Sequence, residues 1–176
     1  AALKQRGVPA RARVGFADYF KPGHFEDHWV CEYWNAAQQR WVLVDPQLDD
    51  VQRKAKNIDF DPLDVPPDRF LIAGAAYRQC RTGERDPERF GISFVGLYGL
   101  WFVAANILRD AAALNGVEML PWDIWGGMKQ GELSAEDLAF FDQLARLTCA
   151  PDDHLEQLQQ LFRSDARLKL SQPSAS

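Results

Sequence analysis

Asp27-His28-Trp29-Val30-Cys31-Glu32-Tyr33-Trp34, then Asn35-Ala36-Ala37-Gln38-Gln39, then Arg40-Trp41-Val42-Leu43-Val44-Asp45-Pro46, is the stretch whose reading decides the fold. Its two outer runs are rich in aromatic and β-branched residues, and the segment between them is polar apart from alanine. That pattern predicts strands over 27–34 and 40–45 joined by a turn over 35–39. If the turn sets Trp34 against Trp41, Cys31 faces Val44 and Val30 faces Asp45. Alternation then sorts the side chains. Trp29, Cys31, Tyr33, Val42 and Val44 share one face, apolar enough to be expected as core. His28, Val30, Glu32 and Asp45 share the other. Asp45 becomes the diagonal neighbour of His28, and diagonal pairs about 7 Å apart lie within side-chain reach. A carboxylate beside an imidazole fixes its tautomer and stabilises the imidazolium, as the orienting half of a nucleophilic site does. A satisfied polar pair at a sheet edge is the other reading of the same spacing.

The length of 176 residues supports one domain with a real core. A net charge of -5 and the lack of a basic block argue against a general nucleic-acid binder. Cys31, Cys80 and Cys149 have no short spacing, which fits a reducing, cytoplasmic setting better than a disulfide framework.

Before the hairpin, 1–6 is helix-forming and is followed by Gly7 and Pro9, a helix C-terminus. So short a helix with no N-cap, in a chain with no initiator methionine, reads as the end of a longer one; the expectation is a fragment. The alternation in 10–16 predicts a strand with Arg11 and Arg13 on one side. His24, His28 and Cys31 have a loose metal-ligand spacing, but His28 and Cys31 point to opposite faces of a strand and cannot converge on a metal. Cys31 fails as a nucleophile for His28 for the same reason. No metal and no cofactor is therefore expected.

After Pro46, prolines break 47–67 into a loop with one short helix near 51–56. Residues 68–81 read as a helix with Phe70, Ala73, Tyr77 and Cys80 along one side, Cys80 being a core or half-buried thiol. Residues 90–108 carry no charge, but the glycines and Asn106 favour a buried helix over 95–114 rather than a membrane span. Residues 118–127 read as an aromatic loop whose Trp122 and Trp125 either line a pocket or, as is more common beside Pro and Gly, plug a core edge. Ser134 with Asp137 is a capping arrangement that opens a helix to Thr148, with Leu138, Phe141, Leu144 and Ala145 buried. Asp152 is expected to cap a last helix, with His154 solvated in its first turn. Residues 171–176 read as a disordered tail.

Gly7-Val8-Pro9-Ala10-Arg11, then Asp27-His28-Trp29-Val30, then Trp41-Val42-Leu43-Val44-Asp45-Pro46 resembles the transglutaminase-like superfamily, whose members share a papain-like Cys-His-Asp arrangement. The likeness covers about the first quarter of the chain. It implies that His28 is a general base and Asp45 its orienting acid. It also implies a nucleophilic Cys at the start of the helix that ends just before Gly7, a place that none of the three cysteines occupies. The residues after Pro46 resemble the C-terminal part of bacterial members, and nothing resembles the calcium-dependent animal enzymes.

The expected fold class is α+β: a small antiparallel sheet over 10–45, packed by its apolar face on the 97–114 helix or its neighbours, and a mostly helical second half. Residues 1–50 would form the end of a transglutaminase-like core, 51–170 a helical region against it, and 171–176 the tail. The resemblance implies thiol-dependent acyl transfer in the intact parent, amide hydrolysis or amine crosslinking through a thioester, with a peptide or protein amide as substrate. The chain itself would be inactive for want of the nucleophile. The missing helix would leave Val30 and Leu43 exposed, an apolar face open to association. The alternative is a non-catalytic papain-like module that binds protein or peptide.

Overall fold

The alternating run in Ala10–Ala17 forms strand β1, and the two aromatic runs form β2 (Phe25–Asn35) and β3 (Arg40–Val44). β2 and β3 pair antiparallel with Trp34 opposite Trp41 and Cys31 opposite Val44, the register expected from the turn. β1 pairs antiparallel with β2 and sets Gly15 opposite His28. This computed structural model describes residues 2–171; the expected tail beyond Ser171 lies outside the described residues, while Ser171 itself donates its N–H to the Ile124 carbonyl at 2.8 Å.

The fold is α+β, but the sheet is larger than the expected small antiparallel one. It has six strands and is mixed, in the order β4-β1-β2-β5-β6, with β3 paired to the far part of β2. The additional strands β4 (Phe70–Ile72), β5 (Phe90–Ile92) and β6 (Leu97–Tyr98) come from the second half of the chain. β5 runs parallel to β2. The sheet is therefore shared by the segments 1–50 and 51–170.

Six α-helices occur among the described residues: α1 (Ala2–Gln5), α2 (Asp50–Lys56), α3 (Ala73–Arg81), α4 (Leu100–Leu114), α5 (Ala135–Cys149) and α6 (Leu155–Ser164). The helix expected over 68–81 begins only at Ala73, because 70–72 pairs with β1 instead. Likewise α4 starts at Leu100, since 97–98 is spent on β6. α5 carries the capping box: the Ser134 hydroxyl accepts from the Asp137 N–H at 3.2 Å, and the Asp137 carboxylate accepts from the Ser134 N–H at 3.2 Å. Asp152 does not cap α6. Its carboxylate accepts instead from Arg11 and from the Trp41 indole, both at 2.6 Å, and half-buried His154 takes the cap position beside Arg146. No helix among the described residues is long and apolar enough to cross a membrane.

Two apolar clusters sandwich the sheet. On one side Phe16 and Phe25 pack with α3, α4 and α5, so the sheet does lie against the 97–114 helix. Trp125 of the aromatic loop is buried in this cluster, whereas Trp122 is exposed. On the other side Ala17, Tyr19, Val30, Leu48, Ile58, Val65 and Phe70 form the second cluster. Of the five residues expected to share the core face, Val42 alone is buried. Cys31 is exposed and Trp29 and Tyr33 are only half-buried, while His28, Val30 and Glu32 are buried. The long loop after β3 folds over the His28 face and supplies the cover. Val30 is therefore buried, and Leu43 half-buried against the same cluster, rather than exposed.

Candidate active site

His28 projects from the centre of β2 onto the face covered by the second cluster, with 8% of its surface exposed. Three rings enclose it: Tyr19 (centroids 6.0 Å apart), Phe20 (4.7 Å) and Phe70 (6.4 Å). Phe70 reaches it because Gly15, opposite His28, leaves no side chain between β1 and β4. A Cβ there would lie 2.9 Å from the Phe70 ring edge.

Asp45 follows the last residue of β3, which puts it one step beyond the paired register and diagonal to His28. Its Oδ2 lies 2.6 Å from His28 Nε2. The Tyr19 hydroxyl donates to the same oxygen at 2.7 Å, and the Gln47 N–H donates to Oδ1 at 3.0 Å in an Asx turn. Burial pushes the Asp45 carboxyl up, but the hydrogen bond and charge of His28, the Tyr19 hydroxyl and the Gln47 N–H outweigh it. The group is held below the ordinary carboxylate range. An ionised carboxylate only accepts, so Nε2 carries the hydrogen, and in the neutral form of the ring Nδ1 is the nitrogen with the lone pair. Nδ1 makes no hydrogen bond among the described residues and is not sealed from the surface. This arrangement can receive a proton at Nδ1 and stabilise the resulting imidazolium.

Tyr19 was not among the residues read from the sequence. Burial first, then the Asp45 carboxylate, raise its phenol well above the ordinary value, so it remains a donor. A groove of about 480 Å³ opens on the same sheet face, between Trp41 and Leu43 of β3 and the Phe70–Ile72 strand. Phe70 is common to its wall and to the His28 enclosure.

The three cysteines stand apart from this centre. Cys31 lies on the opposite face of β2 and is exposed. Burial pushes the Cys80 thiol up to about 12. Cys149 lines the groove and is pushed up by burial against the opposing pull of Arg78. Among the described residues, no hydrogen bond joins any of them to His28 and no group of three or more His, Cys, Asp or Glu could hold a metal ion. His24 packs near Tyr98 rather than joining His28.

A second polar centre is structural. Buried Arg13 donates to both carboxylate oxygens of Asp110 (3.0 and 2.8 Å), to Glu32 (3.0 Å) and to the Thr148 carbonyl (2.9 Å). Asp110 also accepts from the Val14 N–H at 2.9 Å. This network ties β1 and β2 to α4 and α5 with its partners satisfied. Comparison of the chain with protein-family models, curated proteins and solved structures found no match.

Proposed function

We propose that His28 and Asp45 are the general base and orienting acid of a thiol-dependent acyl transfer. The supporting observation is the 2.6 Å contact between Nε2 and an Asp45 carboxylate held ionised, with Nδ1 left free. In this reading Nδ1 takes the proton of a cysteine thiol, and the thiolate attacks a carboxamide carbon. The C–N bond breaks, the amine leaves with the proton from His28, and a thioester remains. Water or an amine then attacks the thioester, His28 takes its proton, the C–S bond breaks, and His28 returns that proton to the departing sulfur to regenerate the thiol. Amide hydrolysis and amine crosslinking differ only in that last nucleophile.

Cys31, Cys80 and Cys149 do not serve as the thiol, for the reasons of face and burial given above. In this reading the nucleophile is a thiol other than these three, as the resemblance of the Gly7–Arg11 motif implies. The groove walled by Phe70, whose ring also packs on His28, is where this reading places a peptide substrate.

The test uses the protein expressed from its complete reading frame and assayed on glutamine-containing peptides. Asp45→Ala should lower turnover by about 10⁴-fold, the scale seen when an orienting acid is lost, with much less effect on stability. Unchanged turnover in Asp45→Ala contradicts the proposal. A frame that places Ser, Ala or Gly where the nucleophile belongs favours the non-catalytic peptide-binding module.

A further inference from the structure

We infer that Tyr19 is a positioning residue of this site, a fixed phenol donor that sets how strongly Asp45 pulls on His28. The inference rests on the His28–Asp45 reading and goes one residue beyond it.

The geometry carries it. Tyr19 and His28 converge on the same oxygen, Asp45 Oδ2, at 2.7 and 2.6 Å, while the Gln47 N–H takes Oδ1. All three donors hold the carboxylate in one rotamer, and the Tyr19 ring packs edge-on against both the His28 and the Phe60 rings. A donor on Oδ2 shares its negative charge, so less remains to stabilise the imidazolium. Tyr19 thus fixes the orientation of Asp45 and draws off part of the charge on the oxygen that faces His28. The other charged groups nearby include Asp27 and Glu26 on β2, the Asp18–Arg69 pair beside Tyr19, joined at 2.8 Å, and Lys56, which donates to the Phe20 carbonyl at 3.2 Å. None of them contacts Asp45 Oδ2 among the described residues.

Tyr19→Phe keeps the ring and removes only the hydroxyl, so it separates tuning from packing. In the 176-residue chain, the NMR titration midpoint of His28 should move upward in Tyr19→Phe by about half to one pH unit, the scale of one hydrogen bond. In Asp45→Asn it should move down. In the unmodified chain the Tyr19 hydroxyl proton, protected by burial, should shift with the same midpoint as His28. A midpoint unmoved by Tyr19→Phe while Asp45→Asn lowers it overturns the role of Tyr19 alone. A hydroxyl proton blind to the His28 titration does the same without any variant. A midpoint unmoved by Asp45→Asn overturns the dyad and the inference together.

Discussion

Gly15 stands directly across the β1–β2 ladder from His28, and the strand bearing Phe70 closes onto the space a side chain at Gly15 would need. The contact that Cβ would meet first is the Leu71 backbone carbonyl, which cannot rotate away. Gly15→Ala should therefore destabilise the fold by about 1–3 kcal/mol, as overpacking does, and should disturb the His28 ring environment. Chemical denaturation with His28 proton signals checks both effects.

Arg13 depends on Asp110 in a way that exposed pairs do not, since the two are 3% and 0% exposed. Asp110→Ala leaves a buried guanidinium without its main partner and should cost about 3–5 kcal/mol. Replacing Arg13 and Asp110 together by apolar residues of similar volume should cost less than the single change. A double-mutant cycle by urea unfolding measures the difference.

Acid dependence should have two opposite contributions. Burial raises the Asp27 carboxyl to about 6, against the pull of Arg109 and the Asn106 hydrogen bond. Its native form holds a proton that the unfolded chain has lost, so its contribution weakens stability as pH rises from about 4, the unfolded value, through 6. Asp45 is shifted the other way, and its stabilising contribution disappears as pH falls below the ordinary carboxylate range. In unfolding free energies measured from pH 3 to 8, Asp27→Asn should flatten the decline between 4 and 6. An unchanged slope in that variant contradicts the assignment.

Ser134→Ala should remove one half of the α5 capping box and cost about 1 kcal/mol. The loss should be visible as a lower denaturation midpoint with unchanged cooperativity.

The β2–β3 register is legible in the sequence because two aromatic runs flank a polar turn, and that register alone predicts Asp45 beside His28. The buried face is not legible from polarity. Glu32 is buried by ion pairs with Arg11 and Arg13, and His28 by rings from distant segments, while the apolar-looking Cys31 faces outward. β4 and β6, of three and two residues, are too short to show alternation and lie within or just before helices whose period overrides theirs. Tyr19 leaves no local signal, because its partner is 26 residues away and the contact exists only once the loop after β3 folds over the sheet.

The most direct measurement of the proposed chemistry is amide turnover by the protein from its complete reading frame, compared between His28→Ala and a triple Cys31→Ser, Cys80→Ser, Cys149→Ser variant. The proposal predicts that His28→Ala abolishes turnover and that the triple variant retains it, with iodoacetamide still inactivating the triple variant. Turnover that survives His28→Ala, or that disappears with the three cysteines, contradicts it.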